Sequence, residues 1–173
     1  MGLYVQGDRT SHDQKLNRFA AALHFVNAFA SVTIEDLICY DGKESNLDII
    51  AIRHLPVTPP DEYATLLDRN PSRYFELMMD GPQIRELWHF EVKSGTSAQS
   101  LERAREQLAR GREHYYPSFD RIFSYIVCPQ GVSLESRLLK PPFDTTRPTE
   151  DQVREAIVED AFYVMQHDFR YAA

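Results

Sequence analysis

Three ionisable residues stand in runs that otherwise read as buried strand. Asp48 interrupts Leu47-Asp48-Ile49-Ile50-Ala51-Ile52, and Glu91 and Lys93 follow Leu87-Trp88-His89-Phe90. A charge in such a run costs several kcal/mol to bury unless it is paired or binds a metal. Side chains alternate along a strand, so Glu91 and Lys93 share one face while Val92 points to the other. Two carboxylates and one ammonium on neighbouring strands suit phosphate chemistry. Asp48 and Glu91 can hold Mg²⁺ or Mn²⁺, which prefer oxygen ligands and share their shell with water and phosphate. Lys93 then stands beside the attacking water and the scissile phosphate, where charge builds up during reaction. The bland alternative is a buried structural ion pair, energetically indifferent at best.

These residues need elements to hold them. Residues 12–30 predict a helix: Leu16, Phe19, Leu23, Val26 and Phe29 recur at three- and four-residue spacing, with Ser11 as its N-cap. Residues 32–40 and 46–53 predict two strands joined at Asp41-Gly42-Lys43, an antiparallel hairpin. Residues 54–85 carry Pro56, Pro59, Pro60 and Pro71 and read as an insertion with short helices over 60–68 and 71–79. A third strand is expected over 86–93, a helix over 97–115 opened by Ser97, and a fourth strand over 121–128. A Pro-rich link then leads to a last helix over about 149–166, capped by Thr149. Strand three, helix and strand four form a βαβ unit with a parallel crossover. The expected fold is α/β, a mixed sheet flanked by helices.

The order and motifs resemble the PD-(D/E)xK nuclease superfamily, whose fold is restriction-endonuclease-like. The likeness rests on Asp48 in SNLDIIAI, Glu91-x-Lys93 in HFEVKSG, and the helix in SLERAREQLARGREHYY. It spans residues 12–128 in the superfamily's αβββαβ order. It implies Asp48 and Glu91 as metal-binding acids, Lys93 as the catalytic lysine and the Val92 carbonyl as a further ligand, with Mg²⁺ or Mn²⁺ as cofactor. Two features are similar to the RecB-type branch: His24 in the helix before the hairpin, as a metal ligand, and Gln107 in the helix after the lysine. That branch places a tyrosine four residues after the glutamine, where Gly111 stands here. Viral cap-snatching endonucleases also combine a helical histidine with Asp, Glu and Lys. The resemblance implies a metal-dependent nuclease, with DNA as partner ahead of RNA and a homodimer left open. The alternative is a binding or assembly module of the same fold without turnover.

Accessory residues can be weighed individually. Gln107 could orient water or a phosphate. Arg103 and Arg110 flank it at helical spacing and are candidate phosphate contacts, although most of that helix reads as a solvated face of Glu–Arg pairs. Glu35 reads as a solvated edge residue with a smaller claim as an extra ligand, and His89 as a strand-surface residue. Tyr4, Tyr63, Tyr74, Tyr115, Tyr116 and Phe119 could stack on unpaired bases, with packing the default.

Composition narrows the field. The 173 residues fit one domain, and the net charge of −7 argues against a simple basic nucleic-acid-binding module. The charge is uneven: residues 144–173 hold seven acids and three arginines. That divides the chain into a nuclease-like domain (1–143, with the insertion at about 54–85) and an acidic helical appendage (144–173) packed on the same domain. Substrate is accordingly expected to approach away from the last helix. Cys39 and Cys128 are too few for a disulfide framework and read as buried thiols. No run reaches the ~18 apolar residues of a membrane span, and Met1–Arg18 lacks an apolar signal core. An intracellular, soluble setting and no membrane partner are expected.

Overall fold

The computed structural model describes residues 2–57 and 60–167, apart from the side chains of 2–11, 60–64, 75 and 77–80. Helix α1 spans Gly2–Phe25, longer at its start than the apolar repeat suggested, so Ser11 is interior rather than a cap. It also ends earlier. Asn27 takes a left-handed conformation (φ 51°) and breaks the spiral. Phe29 then packs edge-on against Trp88, its ring centroid 4.9 Å away.

Strands β1 (Ser31–Tyr40) and β2 (Lys43–Pro56) pair antiparallel. Asp41 and Gly42 both have positive φ, which is what a two-residue type I′ hairpin requires. The insertion holds helices α2 (Pro60–Arg69) and α3 (Pro71–Asp80). Strand β3 (Gln83–Val92) pairs antiparallel with β2, and β4 (Arg121–Cys128) pairs parallel with β3. Between them α4 (Ala98–Tyr115) crosses over, its first turn capped by Ser97, whose Oγ accepts the Ser100 N–H.

One strand escaped the sequence reading. β5 (Gly131–Leu139) returns antiparallel beside β4. Pro129 and Gln130 make the turn of a second hairpin, in which Cys128 pairs with Gly131. The sheet is therefore five-stranded and mixed, in the order β1-β2-β3-β4-β5. Helix α5 spans Pro148–His167, and Glu150 accepts the Arg147 N–H, so its cap lies before Thr149.

Helices cover both faces of the sheet. α1 and α5 pack on Ala51, Trp88, Phe90, Phe123 and Tyr125, and α4 lies on the opposite face, with Ala104 and Leu108 against Ile126. Phe90 and Tyr125 stack at 4.9 Å, and such pairs add about 0.5–1.5 kcal/mol beyond their buried area. Beneath α5 sits a buried ionic group. Glu86 Oε1 accepts from Arg154 (2.9 Å) and Arg121 (3.3 Å), while Glu86 Oε2 accepts from the Trp88 indole N–H (3.0 Å). Through Arg154 and Glu150, α5 is thus bonded to the sheet on which it packs. Of the two cysteines, Cys39 is exposed and Cys128 half-buried, because Cys39 lies on edge strand β1. Among the described residues no helix is long and apolar enough to cross a membrane.

Candidate functional site

The ladder between β2 and β3 ends at the pair Ile49–Phe90. Beyond that pair the strands fork, and the acids take over the backbone partners. Asp48 Oδ2 accepts the Val92 N–H at 2.8 Å, and Glu91 Oε1 accepts the Asp48 N–H at 3.2 Å. On the other side the β1–β2 ladder skips the Glu35–Asp48 position, where Glu35 has φ 54°. That irregularity leaves the Asp48 N–H for Glu91. Glu35 itself is exposed.

Lys93 follows directly after β3, its backbone N–H held by Val127 O at 2.8 Å. Its Nζ lies 3.6 Å from Glu91 Oε2 and donates to Gln107 Oε1 at 3.2 Å. Gln107 in turn donates to Asn46 O at 3.1 Å, which ties α4 to the start of β2. Asp48, Glu91, Val92, Lys93 and Gln107 therefore meet at one end of the sheet, at the carboxyl ends of β3 and β4. Crevices outside the carboxyl ends of strands are where open α/β sheets bind ligands.

The helical histidine at this site is His12, not His24. His12 Nε2 lies 3.0 Å from the Val92 carbonyl and 3.5 Å from Asp48 Oδ2. His24 is exposed in the last turn of α1, twelve residues on, or about 18 Å along the axis. The signal was present in the sequence. His12 stands one turn before Leu16, on the stripe that Leu16, Phe19 and Leu23 bury, whereas His24 lies to the side of that stripe.

His89, expected at the strand surface, is the second correction. It is fully buried, and its Nε2 lies 2.7 Å from Glu91 Oε1. With Nε2–H donating, Nδ1 is left as a buried acceptor without a partner. The ring lies against α4 at Gly111, where an added Cβ would fall 2.6 Å from Nδ1 and 2.7 Å from Cε1. An imidazole from β3 thus fills the space a side chain at this position of α4 would need. Gly111→Ala should consequently lower the free energy of unfolding by about 1–3 kcal/mol through overpacking, although alanine is ordinarily the better helix former. Urea unfolding of the double variant His89→Ala/Gly111→Ala checks the cause, because without the ring the alanine becomes stabilising.

The surroundings drive the two acids apart. Burial pushes the Asp48 carboxyl up, but the His12 hydrogen bond, the Val92 N–H and the Lys93 charge outweigh it, and its pKa lies below the ordinary value. The Asp48 hydrogen bond correspondingly raises His12. Burial pushes Glu91 up and the Asp48 charge adds to it; the His89 hydrogen bond and Lys93 only partly compensate. Opposite shifts in adjacent titratable groups mark functional sites more often than structural ones.

Among the described residues no three His, Cys, Asp or Glu side chains are already gathered as a metal cage. The donors nevertheless fit a hard cation. Glu91 Oε2 is buried with no hydrogen-bond partner, 3.6 Å from the Lys93 ammonium, and the Asp48 carboxylate and the His12 imidazole lie at the same fork, donors of the kind that hard cations take.

The remaining candidates lie elsewhere or are engaged structurally. Arg103 is exposed on α4, and Arg110 donates to Ser45 Oγ at 3.1 Å. Tyr115 donates its hydroxyl to Asp36 and packs on Phe119, so both rings serve the structure. Tyr116 is exposed beneath the Lys140 ammonium, and Tyr74 is half-buried on α3. Tyr4 and Tyr63 lie outside the described side chains. Compared with known proteins, the chain matches no protein-family model, no curated protein and no solved structure.

Proposed function

We propose that this chain is a divalent-metal-dependent nuclease of the PD-(D/E)xK type, acting on DNA ahead of RNA. One observation carries the reading. At the β2–β3 fork, the buried Glu91 carboxylate, whose Oε2 accepts no hydrogen bond and faces the Lys93 ammonium at 3.6 Å, meets Asp48, and His12 reaches Asp48 and the Val92 carbonyl. The order α1, β1, β2, β3, α4, β4, with α2 and α3 inserted and β5 and α5 added, supports this reading.

Asp48, Glu91, His12 and the Val92 carbonyl would hold the ion. When bound, it supplies positive charge that polarises a phosphoryl oxygen and acidifies water. The chain's own residues do the rest. Gln107 fixes the Lys93 ammonium by accepting its N–H, so this charge is in place before the phosphate gains negative charge in the transition state. In the overall step water adds to phosphorus, one P–O ester bond breaks, and the released sugar oxygen takes a proton.

Incubating the purified chain with labelled single- and double-stranded DNA and RNA in Mn²⁺ or Mg²⁺ tests the proposal. Asp48→Ala and Lys93→Ala should each slow cleavage by about 10²–10³-fold, as removal of one transition-state stabiliser does. His12→Ala should raise the metal concentration needed for half-maximal rate, and His24→Ala should not. The proposal fails if nothing is cut in either metal, or if Lys93→Ala cuts as fast as the parent.

A second reading has an observation of its own. Both carboxylates already satisfy backbone N–H groups at the fork, as purely structural acids in a binding module would.

A further inference from the structure

A cavity of about 200 Å³ opens beside the proposed site, lined by Lys15 and Arg18 of α1, by Val92 and Lys93, and by residues at the ends of β4 and α5. We propose that it seats the sugar-phosphate of the nucleotide flanking the scissile bond, with the phosphate between Lys15 and Arg18; this rests on the nuclease reading above.

Four features point there. Lys15 lies one turn beyond His12 on α1, and Arg18 one turn beyond Lys15, a rise of about 4.5 Å each time. The helix that delivers the imidazole to the fork thus continues as a row of cations leading away from it. Val92 and Lys93 also line it, so the cavity adjoins the site. Among the described residues no carboxylate lines it, although the chain carries a net charge of −7. Its remaining walls are largely apolar, with Val127 from β4 and Met165 from the last turn of α5. Cations at one side and apolar surface at the other match the two parts of a nucleotide: the phosphate, and the face of the sugar or base.

This places the substrate path differently from the sequence expectation. Arg103 and Arg110 of α4 lie away from this cavity, and α5, expected to be avoided, supplies one of its walls. The acids of α5 do not reach it. Glu155 and Glu159 line a different cavity over β4 and β5.

The experiment uses the full chain in chelator, so that no turnover occurs, with a fluorescein-labelled single-stranded oligonucleotide read by anisotropy across a salt series. Lys15→Gln/Arg18→Gln keeps the length of both stems and removes two charges. It should weaken binding at least about tenfold and reduce the slope of log K against log salt by about 1.4, as the loss of two phosphate contacts to a single strand predicts. In Mn²⁺ the double variant should raise KM about tenfold with kcat within about twofold. Thermal melting checks that it folds, and the single variants, each with a smaller loss, guard against a double variant that does not. If the double variant binds with unchanged affinity and slope while the parent still cuts nucleic acid, the cavity assignment is wrong and the nuclease reading stands. If the parent neither binds the oligonucleotide nor cuts any substrate, both are overturned.

Discussion

Glu86→Ala is expected to lower the free energy of unfolding by about 3–5 kcal/mol, the loss typical when one partner is removed from a buried ionic group. Glu86 is fully buried on β3 and is shared by Arg121 and Arg154, both almost fully buried. Its loss would strand part of two guanidinium groups and the Trp88 indole N–H. Other acceptors remain: Arg121 keeps Glu150, Thr145 O and Phe143 O, and Arg154 keeps Asp151. These hold the arginines in place without supplying an acceptor at the centre. Since about 1 kcal/mol moves the midpoint about 2–4 °C in a domain of this size, Tm should fall by roughly 6–20 °C. Glu86→Gln keeps one acceptor and should lose less. The loss should also be local at first, because Arg154 belongs to α5 and packs over the Phe123 ring at 4.2 Å. Amide exchange should therefore rise more over 148–167 than over 98–115. A variant within about 1 kcal/mol of the parent would mean that the group is held by packing alone.

This ionic group also shows where sequence reading stops. Ser97, the Asp41-Gly42 turn, the two insertion helices and the bounds of β4 are local features. Capping, turn conformation and proline placement determine them within a few residues, and they were legible. Asp48, Glu91 and Lys93 were legible because charge in an apolar run is anomalous wherever it occurs. Glu86 stands just before the same apolar run as Glu91, yet its partners Arg121 and Arg154 are 35 and 68 positions away, and no spacing rule links them. β5 was lost for a related reason. It is an edge strand with polar residues facing outward, so its pattern resembled the link that follows it. His12 and His89 were each readable in part, one from the helical stripe and one from strand alternation. Only the fold shows that α1 lays His12 against Val92 and that Gly111 makes room for the ring of His89.

Glu91→Gln is the variant expected to separate function from stability most sharply. Cleavage should fall by at least about 10²–10³-fold, while the metal-free protein should be as stable as the parent or more so. Geometry gives the reason. Both hydrogen bonds to Glu91, from the Asp48 N–H and from His89, end on Oε1, where the amide oxygen of glutamine can accept them. The amide nitrogen would take the place of Oε2, which has no hydrogen-bond partner to lose. The substitution therefore removes a desolvated charge and keeps both hydrogen bonds on Oε1; it gives up the 3.6 Å ion pair between Oε2 and Lys93, whose ammonium keeps Gln107. The pH dependence follows from the direction of the shift. Burial raises the Glu91 pKa above its ordinary 4.5, so its contribution to stability is fully present below about pH 4.5 and is lost as pH rises through the folded-state value. The advantage of Glu91→Gln in Tm, read in chelator, should thus vanish near pH 4 and grow towards pH 8. Added Mn²⁺ should reverse the order, because an ion that binds only the folded parent stabilises it by mass action. A structural acid behaves in the opposite way: losing its charge would leave Lys93 and the fork weaker at neutral pH, and Mn²⁺ would change neither melting curve.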